Sequence, residues 1–274
     1  MTMDLEIAPD HDLAAQREVL DTLRDDLARL GLPITVFTTA VAAEDFAEPL
    51  RRWPDAGHEI GSHGVHHGPS EDYCRLPAPA VEALVSDATR RITTITGTAP
   101  RVFRGPRMTT SAATQDALVR HGYVADLSIC PQRLDMWSCA GATPMGLRAP
   151  RRPYQPSVRD PNRRGGRPLT VVPLSGAGVP FVSGSLFLFG RAAARALFTA
   201  ACAEARLTGA PIVFLFHSYE QTPYAGGRRR PPHQRLYRGG PAARRHRLLE
   251  LFRHMLATPR LTPRTVTGWL EACA

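Results

Sequence analysis

A chain of 274 residues, 43% hydrophobic and 22% charged, has the length and apolar content to bury a sizeable core, which excludes a disordered chain and a small disulfide scaffold. Its formal charge of +9 comes wholly from arginine, since no lysine occurs, and such a coding bias weakens the charge as a sign of a nucleic-acid partner. With no apolar run of about 18 residues and no basic-then-apolar leader, the sequence predicts a cytoplasmic protein without a membrane span, folded as one domain over residues 1–274.

Taken in chain order, short apolar runs alternate with helical patterns. Residues 1–7 read as a strand, and 13–30 as a helix carrying Leu13, Val19, Leu20, Leu23, Leu27 and Leu30 at helical spacing. Gly31 stops that helix and Pro33 sets up a strand at 34–38. A helix near 44–52, a strand at 58–62, a helix near 78–95, a short strand at 102–104, a helix at 111–121 and a strand at 123–127 follow. Residues 131–168, rich in Pro, Gly and Arg, read as a long excursion of loops with small strands, where binding surfaces often sit. Regularity returns with a strand at 169–173, a helix at 190–207 and a strongly apolar strand at 211–216. A second Arg/Pro/Gly-rich loop at 224–240, a helix at 241–257 and a short terminal element complete the chain. Strands alternating with helices at this spacing imply a parallel sheet, open or closed into a barrel.

Cys74, Cys130, Cys139, Cys202 and Cys273 are odd in number, scattered and without a C-x-x-C pair, so they read as mostly buried, reduced fillers. Arginines gather at 148–167 and 228–247. Those clusters read as a solvated basic surface, or as holders of phosphate groups on a substrate.

In parallel α/β folds chemistry gathers at the carboxyl ends of the strands, and chemically capable residues fall there. Asp4 and Glu6 lie two apart on the first strand and so point to one side. His63 and His67 follow the third strand, within a stretch that packs His58, His63, His66 and His67 into ten residues. Arg104 ends the next strand, and His217 ends the late apolar one. Two imidazoles and a carboxylate can hold a cation and leave a position open for water, as catalytic zinc sites do. The metal brings the pKa of that water toward neutrality, and hydrolysis then needs a base and an acid, roles that suit a second carboxylate and a separate histidine. His58, His66, Asp10 and His11 read as surface or supporting groups.

These residues resemble the motifs of the polysaccharide deacetylase (NodB-type) family, carbohydrate esterase family 4. "GHEIGSHGVHH" resembles its His-Ser/Thr-x-x-His motif, "FRGP" its arginine motif and "IVFLFHSYE" its late histidine motif. Gly64 stands where the second motif usually has a hydroxyl residue, and Thr2-Met3-Asp4-Leu5-Glu6 departs from the common Thr-Phe-Asp-Asp. The resemblance implies a distorted (β/α) barrel of parallel strands and outer helices. It implies Glu6, His63 and His67 as metal ligands, Asp4 as base, Arg104 as the group orienting that base and His217 as general acid, with the exchange of Asp4 and Glu6 left open. Pro106, Asp126, Leu215 and Tyr219 become substrate-binding candidates, Asp126 equally a structural one. The expected function is removal of an N-acetyl group from an amino sugar in a cytosolic glycoside, nucleotide-linked sugar or natural-product intermediate. Zn2+ is the expected ion, with Co2+, Ni2+ or Fe2+ able to take the same ligands. The partner is a small N-acetylated sugar, with no nucleic acid and no membrane. A cyclic amide or imide hydrolase of the allantoinase-like branch, and a non-catalytic polyanion-binding protein, are the alternatives.

Overall fold

The apolar pattern resolves into strands and helices that alternate along the chain. In the computed structural model, which describes residues 1–7, 12–131, 149–225 and 235–273, the first half runs β1 (Thr2–Leu5), α1 (Leu13–Arg29), β2 (Thr35–Thr38), α2 (Ala40–Asp45), α3 (Ala47–Arg51), β3 (Glu59–Ser62), α4 (Ala78–Thr96), β4 (Val102–Phe103), α5 (Ala112–Arg120) and β5 (Ala125–Asp126). The second half holds β6 (Thr170–Val171), a hairpin of β7 (Gly176–Ala177) and β8 (Val179–Pro180), α6 (Ser183–Phe189), α7 (Arg191–Thr208), β9 (Leu215–His217), α8 (Pro241–Leu256) and α9 (Val266–Cys273).

Seven strands form one sheet in the order β6-β5-β4-β3-β2-β1-β9, every pair parallel. The sheet curls into a half-barrel with β6 and β9 as its end strands, and the chain after β6 reaches the run before β9, where the amide of Ser175 donates to the carbonyl of Val213 at 3.2 Å. β1 lies between β2 and β9, and the register sets Asp4 opposite both Phe37 and His217. That register alone makes neighbours of two groups more than 200 residues apart.

Local chemistry starts and stops the helices. Asp12 caps α1 by accepting from the amides of Ala14 and Ala15 at 2.8 and 3.3 Å, the usual satisfaction of orphan N–H groups. Leu20, Leu23 and Leu27 then face the core along one stripe. Against β1 and β9 this stripe meets Trp53, Phe198, Phe214, Phe216 and Phe252 in the main core, where each large side chain removed from water is worth roughly 2 kcal/mol. Inside the curl, Phe37, Val102, Ala125, Leu127 and Leu215 form a second cluster. Val266, at the start of α9, joins them from the amino ends of the strands.

Several expectations need correction. The helix expected at 44–52 is two short helices, because Thr39 caps an earlier start and Phe46, at φ −111°, ψ 28°, breaks the run so that its ring enters the core. The apolar run 211–216 forms a strand only at Leu215–His217, and α6 precedes the expected helix at 190–207. Of the cysteines, Cys130 and Cys202 are buried, Cys74 is partly exposed and Cys273 exposed; Cys139 lies outside the described residues. Among the described residues no helix is long and apolar enough to cross a membrane.

Candidate metal and catalytic centre

The carboxyl ends of β1, β3, β4 and β9 deliver the six groups singled out by the sequence to one place. Glu6, one residue past β1, is 8% exposed and Asp4 3%, so neither belongs to an exposed edge strand. Glu6 Oε2 lies 3.0 Å from His67 Nε2 and 3.9 Å from His63 Nε2. One ligand atom each from Glu6, His63 and His67 falls within 4.8 Å of the others. Ligands about 2.0–2.2 Å from a tetrahedral ion stand roughly 3–4 Å from one another, so the three residues fit a divalent metal. Glu6 Oε2 is a buried oxygen with no well-formed hydrogen bond, an orphan that a cation would satisfy.

The tautomer of His63 follows from its partner. Nδ1 sits 2.6 Å from the carbonyl oxygen of Arg104, and a carbonyl only accepts, so Nδ1 carries the proton and Nε2 presents its lone pair. His67 enters the site from a left-handed conformation, φ 58°, which costs a non-glycine residue about 1 kcal/mol. Burial pushes the His63 imidazole down in pKa, and the neighbouring carboxylates oppose that only in part. On His67 burial also pushes downward, but Glu6 outweighs it and the net shift is upward. Glu6 itself would be raised by burial; the imidazoles of His67, His217 and His63 reverse this and hold it at about 2.

Asp4 is held apart from the ligand group by Arg104. The guanidinium Nη1 donates to Asp4 Oδ1 at 2.7 Å and Nη2 to Thr2 Oγ1 at 2.8 Å, while its face covers the Phe37 ring at 4.3 Å. Arg104 is fully buried, so this pairing is what makes the burial of both charges tolerable. Asp4 Oδ2 remains 3.7 Å from His63 Nε2, near the cage without joining it. The geometry thus separates the two carboxylates: Glu6 lies with the imidazoles and Asp4 with the Arg104 guanidinium.

His217 faces Asp4 across the β1–β9 register. Its Nδ1 lies 3.7 Å from Glu220 Oε1, an ion-pair separation, and Glu220 Oε2 accepts from the His217 amide at 3.0 Å and from the Ser183 hydroxyl. Burial would lower the His217 pKa, but Glu220, then Asp4 and Glu6, outweigh it and raise it to about 9. Glu220 was missed by the sequence reading although it stands three residues from His217; the signal was an acid inside an otherwise apolar and aromatic stretch. Gln16 was also missed: buried on α1, it donates to the carbonyl of Glu6 at 2.9 Å and to Ser218 Oγ at 3.1 Å, tying the ends of β1 and β9 together.

The substrate-contact candidates divide. Tyr219 sets its ring 4.9 Å from that of His217, tilted by 35°, Pro106 is buried in the turn after Arg104, and Leu215 packs inside the curl, 6% exposed. Asp126 is corrected to a structural role. It is fully buried, and its oxygens accept from Thr110 Oγ1, Gln115 Nε2, and the amide and hydroxyl of Ser128, which leaves no lone pair to meet a ligand. His58, read as surface or supporting, is 5% exposed, accepts from Ile34 N at 3.2 Å and packs on Trp53 at 4.8 Å; it braces the core. Burial, with Arg24 nearby, pushes its pKa down to about 4. His66 is exposed. Asp10, His11, Arg148 and Arg228 to Arg230 lie outside the described residues. Of the first arginine cluster, Arg151 pairs with Glu204 and Arg167 with Asp116, so these two side chains are spent on carboxylates of the same chain.

Comparison with known proteins converges with this geometry. A family model described as Polysaccharide deacetylase matches residues 10–125. A curated peptidoglycan deacetylase of Helicobacter pylori is 33% identical over 98 residues, which is 36% of this chain and 32% of that protein; the match thus spans about a third of the relative's length. A Mycobacterium smegmatis structure assigned to the polysaccharide deacetylases superposes with a TM-score of 0.65 at 18% identity, covering 99% of this chain and 88% of that one. A Pseudomonas aeruginosa structure of the same assignment gives 0.55 at 17% identity over 92% and 72%. The likeness to polysaccharide deacetylases is therefore shown by sequence over residues 10–125 and by the fold over nearly the whole chain.

Proposed function

We propose that this chain, which has the polysaccharide deacetylase fold and matches that family's model over residues 10–125, is a metal-dependent hydrolase that removes the N-acetyl group of an amino sugar. The observation that carries the reading is the joint placement of a Glu6–His63–His67 cage, an Arg104-held Asp4 and a His217 raised toward the charged form. A divalent ion, Zn2+ by the donor set, would be held by Glu6, His63 and His67 and would supply Lewis-acid polarisation of the amide carbonyl and a more acidic water.

The chain's own residues do the rest. Asp4, oriented through Oδ1 by Arg104, keeps Oδ2 free to take a proton from the attacking water. His217, held charged by Glu220 despite burial, gives a proton to the departing amine nitrogen as the carbon–nitrogen bond breaks. Tyr219 backs the His217 ring and limits its swing. The curated relative is a peptidoglycan deacetylase, which supports an acetylated amino-sugar polymer or its fragments as the first substrate class to try.

The test is acetate release from N-acetylglucosamine oligomers and from peptidoglycan fragments, with allantoin as the cyclic-amide control. Activity should vanish with a chelator, return with Zn2+ and be lost in His63→Ala/His67→Ala. Undiminished activity of that double variant sinks the reading, and turnover of allantoin alone replaces it by the cyclic-amide one.

A further inference from the structure

The segment between β3 and α4 that carries His63 and His67 folds around a carboxylate with no part in the chemistry above. Glu71 is fully buried. Its Oε1 accepts from the amide of Val65 at 2.6 Å and the hydroxyl of Tyr73 at 2.9 Å. Its Oε2 accepts from the amides of His66 and His67, each at 2.8 Å. Three successive backbone N–H groups thus converge on one side chain, the concave arrangement by which a backbone normally grips an anion. The carbonyls of the same segment are gripped from the other side: Arg107 donates to those of His67 at 3.2 Å, Gly68 at 3.1 Å and Glu71 at 2.7 Å.

The seat of this carboxylate depends on Gly64. At φ +78° that residue is in the left-handed region, and a Cβ there would stand 2.3 Å from Glu71 Oε1. A larger residue would both strain the backbone and push the carboxylate off its three amides. The last of those amides belongs to His67 itself, whose φ of 58° is an unfavourable conformation that persists only where its surroundings impose it.

We propose that Glu71 is the positioning residue of the metal centre: by holding the amides of Val65, His66 and His67 it fixes the left-handed turn that aims His67 Nε2 at Glu6, and Gly64 leaves the space it occupies. The proposal rests on the reading of Glu6, His63 and His67 as metal ligands. A brace serving the fold alone would alter stability and leave metal affinity where it is.

The experiment measures the Zn2+ dissociation constant by competition with a chromogenic chelator, and the visible spectrum of the Co2+-loaded protein, for wild type, Glu71→Gln and Tyr73→Phe. Glutamine keeps the volume but offers one acceptor oxygen, so one pair of donors is left facing an NH2 group. Zn2+ affinity is expected to fall about 10- to 100-fold, as for other groups that orient a metal ligand, with altered Co2+ bands. Tyr73→Phe removes one donor and none of the amides, and should stay close to wild type. Unchanged affinity and spectrum in Glu71→Gln overturn the proposal and leave the metal reading standing. A wild type that binds no Zn2+ overturns the metal reading and this proposal with it. Should Glu71→Gln not fold, hydrogen exchange in metal-free wild type decides: the three amides must exchange slowly, even at exposed His66, and fast exchange at all three overturns the assignment.

Discussion

His217 and Glu220 show how one nearby carboxylate changes what an imidazole can do. An ordinary histidine loses its proton near pH 6.5 and would be a poor acid at neutral pH. Burial alone makes that worse, and Glu220, 3.7 Å from Nδ1, reverses the direction. A general acid works while it is protonated, so the alkaline limb of the rate profile should follow the His217 pKa. Glu220→Gln removes the charge that raises that pKa, and the alkaline limb of kcat should move to lower pH with a loss of rate at pH 8. A pH–rate profile that keeps its alkaline limb in the variant would assign proton donation to another group. At this scale much was legible: the positions of Asp4, Glu6, His63 and His67 at strand ends marked them as candidates for one centre, and the structure brings them together. Glu71, Glu220 and Gln16 were not, because a polar residue's partner is set by which backbone groups surround it in space. Asp126 carries the same lesson, since only its four donors decide that it is structural.

Whole elements are placed by side chains borrowed from other elements. Glu59, on β3, accepts from the amides of Val266 and Thr267 at 2.9 and 3.2 Å and from the Thr267 hydroxyl, while Thr35 of β2 donates to it at 2.7 Å. It therefore caps α9 from more than 200 residues away and holds Val266 and Trp269 against the inner cluster. Glu59→Ala should cost about 1–2 kcal/mol, the usual worth of a lost helix cap with its hydrogen bonds, seen as a lower urea midpoint. No change in midpoint would mean that α9 is held by its apolar contacts alone. The helical periods of α1, α4 and α8 were readable because one stripe of each meets the core. The division between α2 and α3 was not, since Phe46 leaves the helical conformation to fill a space that the rest of the core creates.

Across the whole molecule, the proposed metal ligands come from the end of β1 and the segment after β3, two strands separated in the sheet by β2. A bound ion would therefore link parts of the chain that unfolding separates. Ligand binding to the folded state alone stabilises it by about 2.7 kcal/mol at a hundredfold excess over Kd, so Zn2+ should raise Tm by roughly 5 °C over the chelator-treated protein. The His63→Ala/His67→Ala variant should show no rise; an equal rise there would place the ion elsewhere.

Strand–helix alternation, the parallel sheet and the residue types gathered at the candidate centre were all determined by the sequence, because apolar period and residue type are local properties that survive without a partner. Which carboxylate faces the imidazoles and which faces Arg104, that Glu220 charges His217, and that Glu71 seats the His67 turn were decided only by tertiary structure. Those outcomes depend on strand register and on which buried donors each oxygen meets, and both exist only once distant segments are packed together.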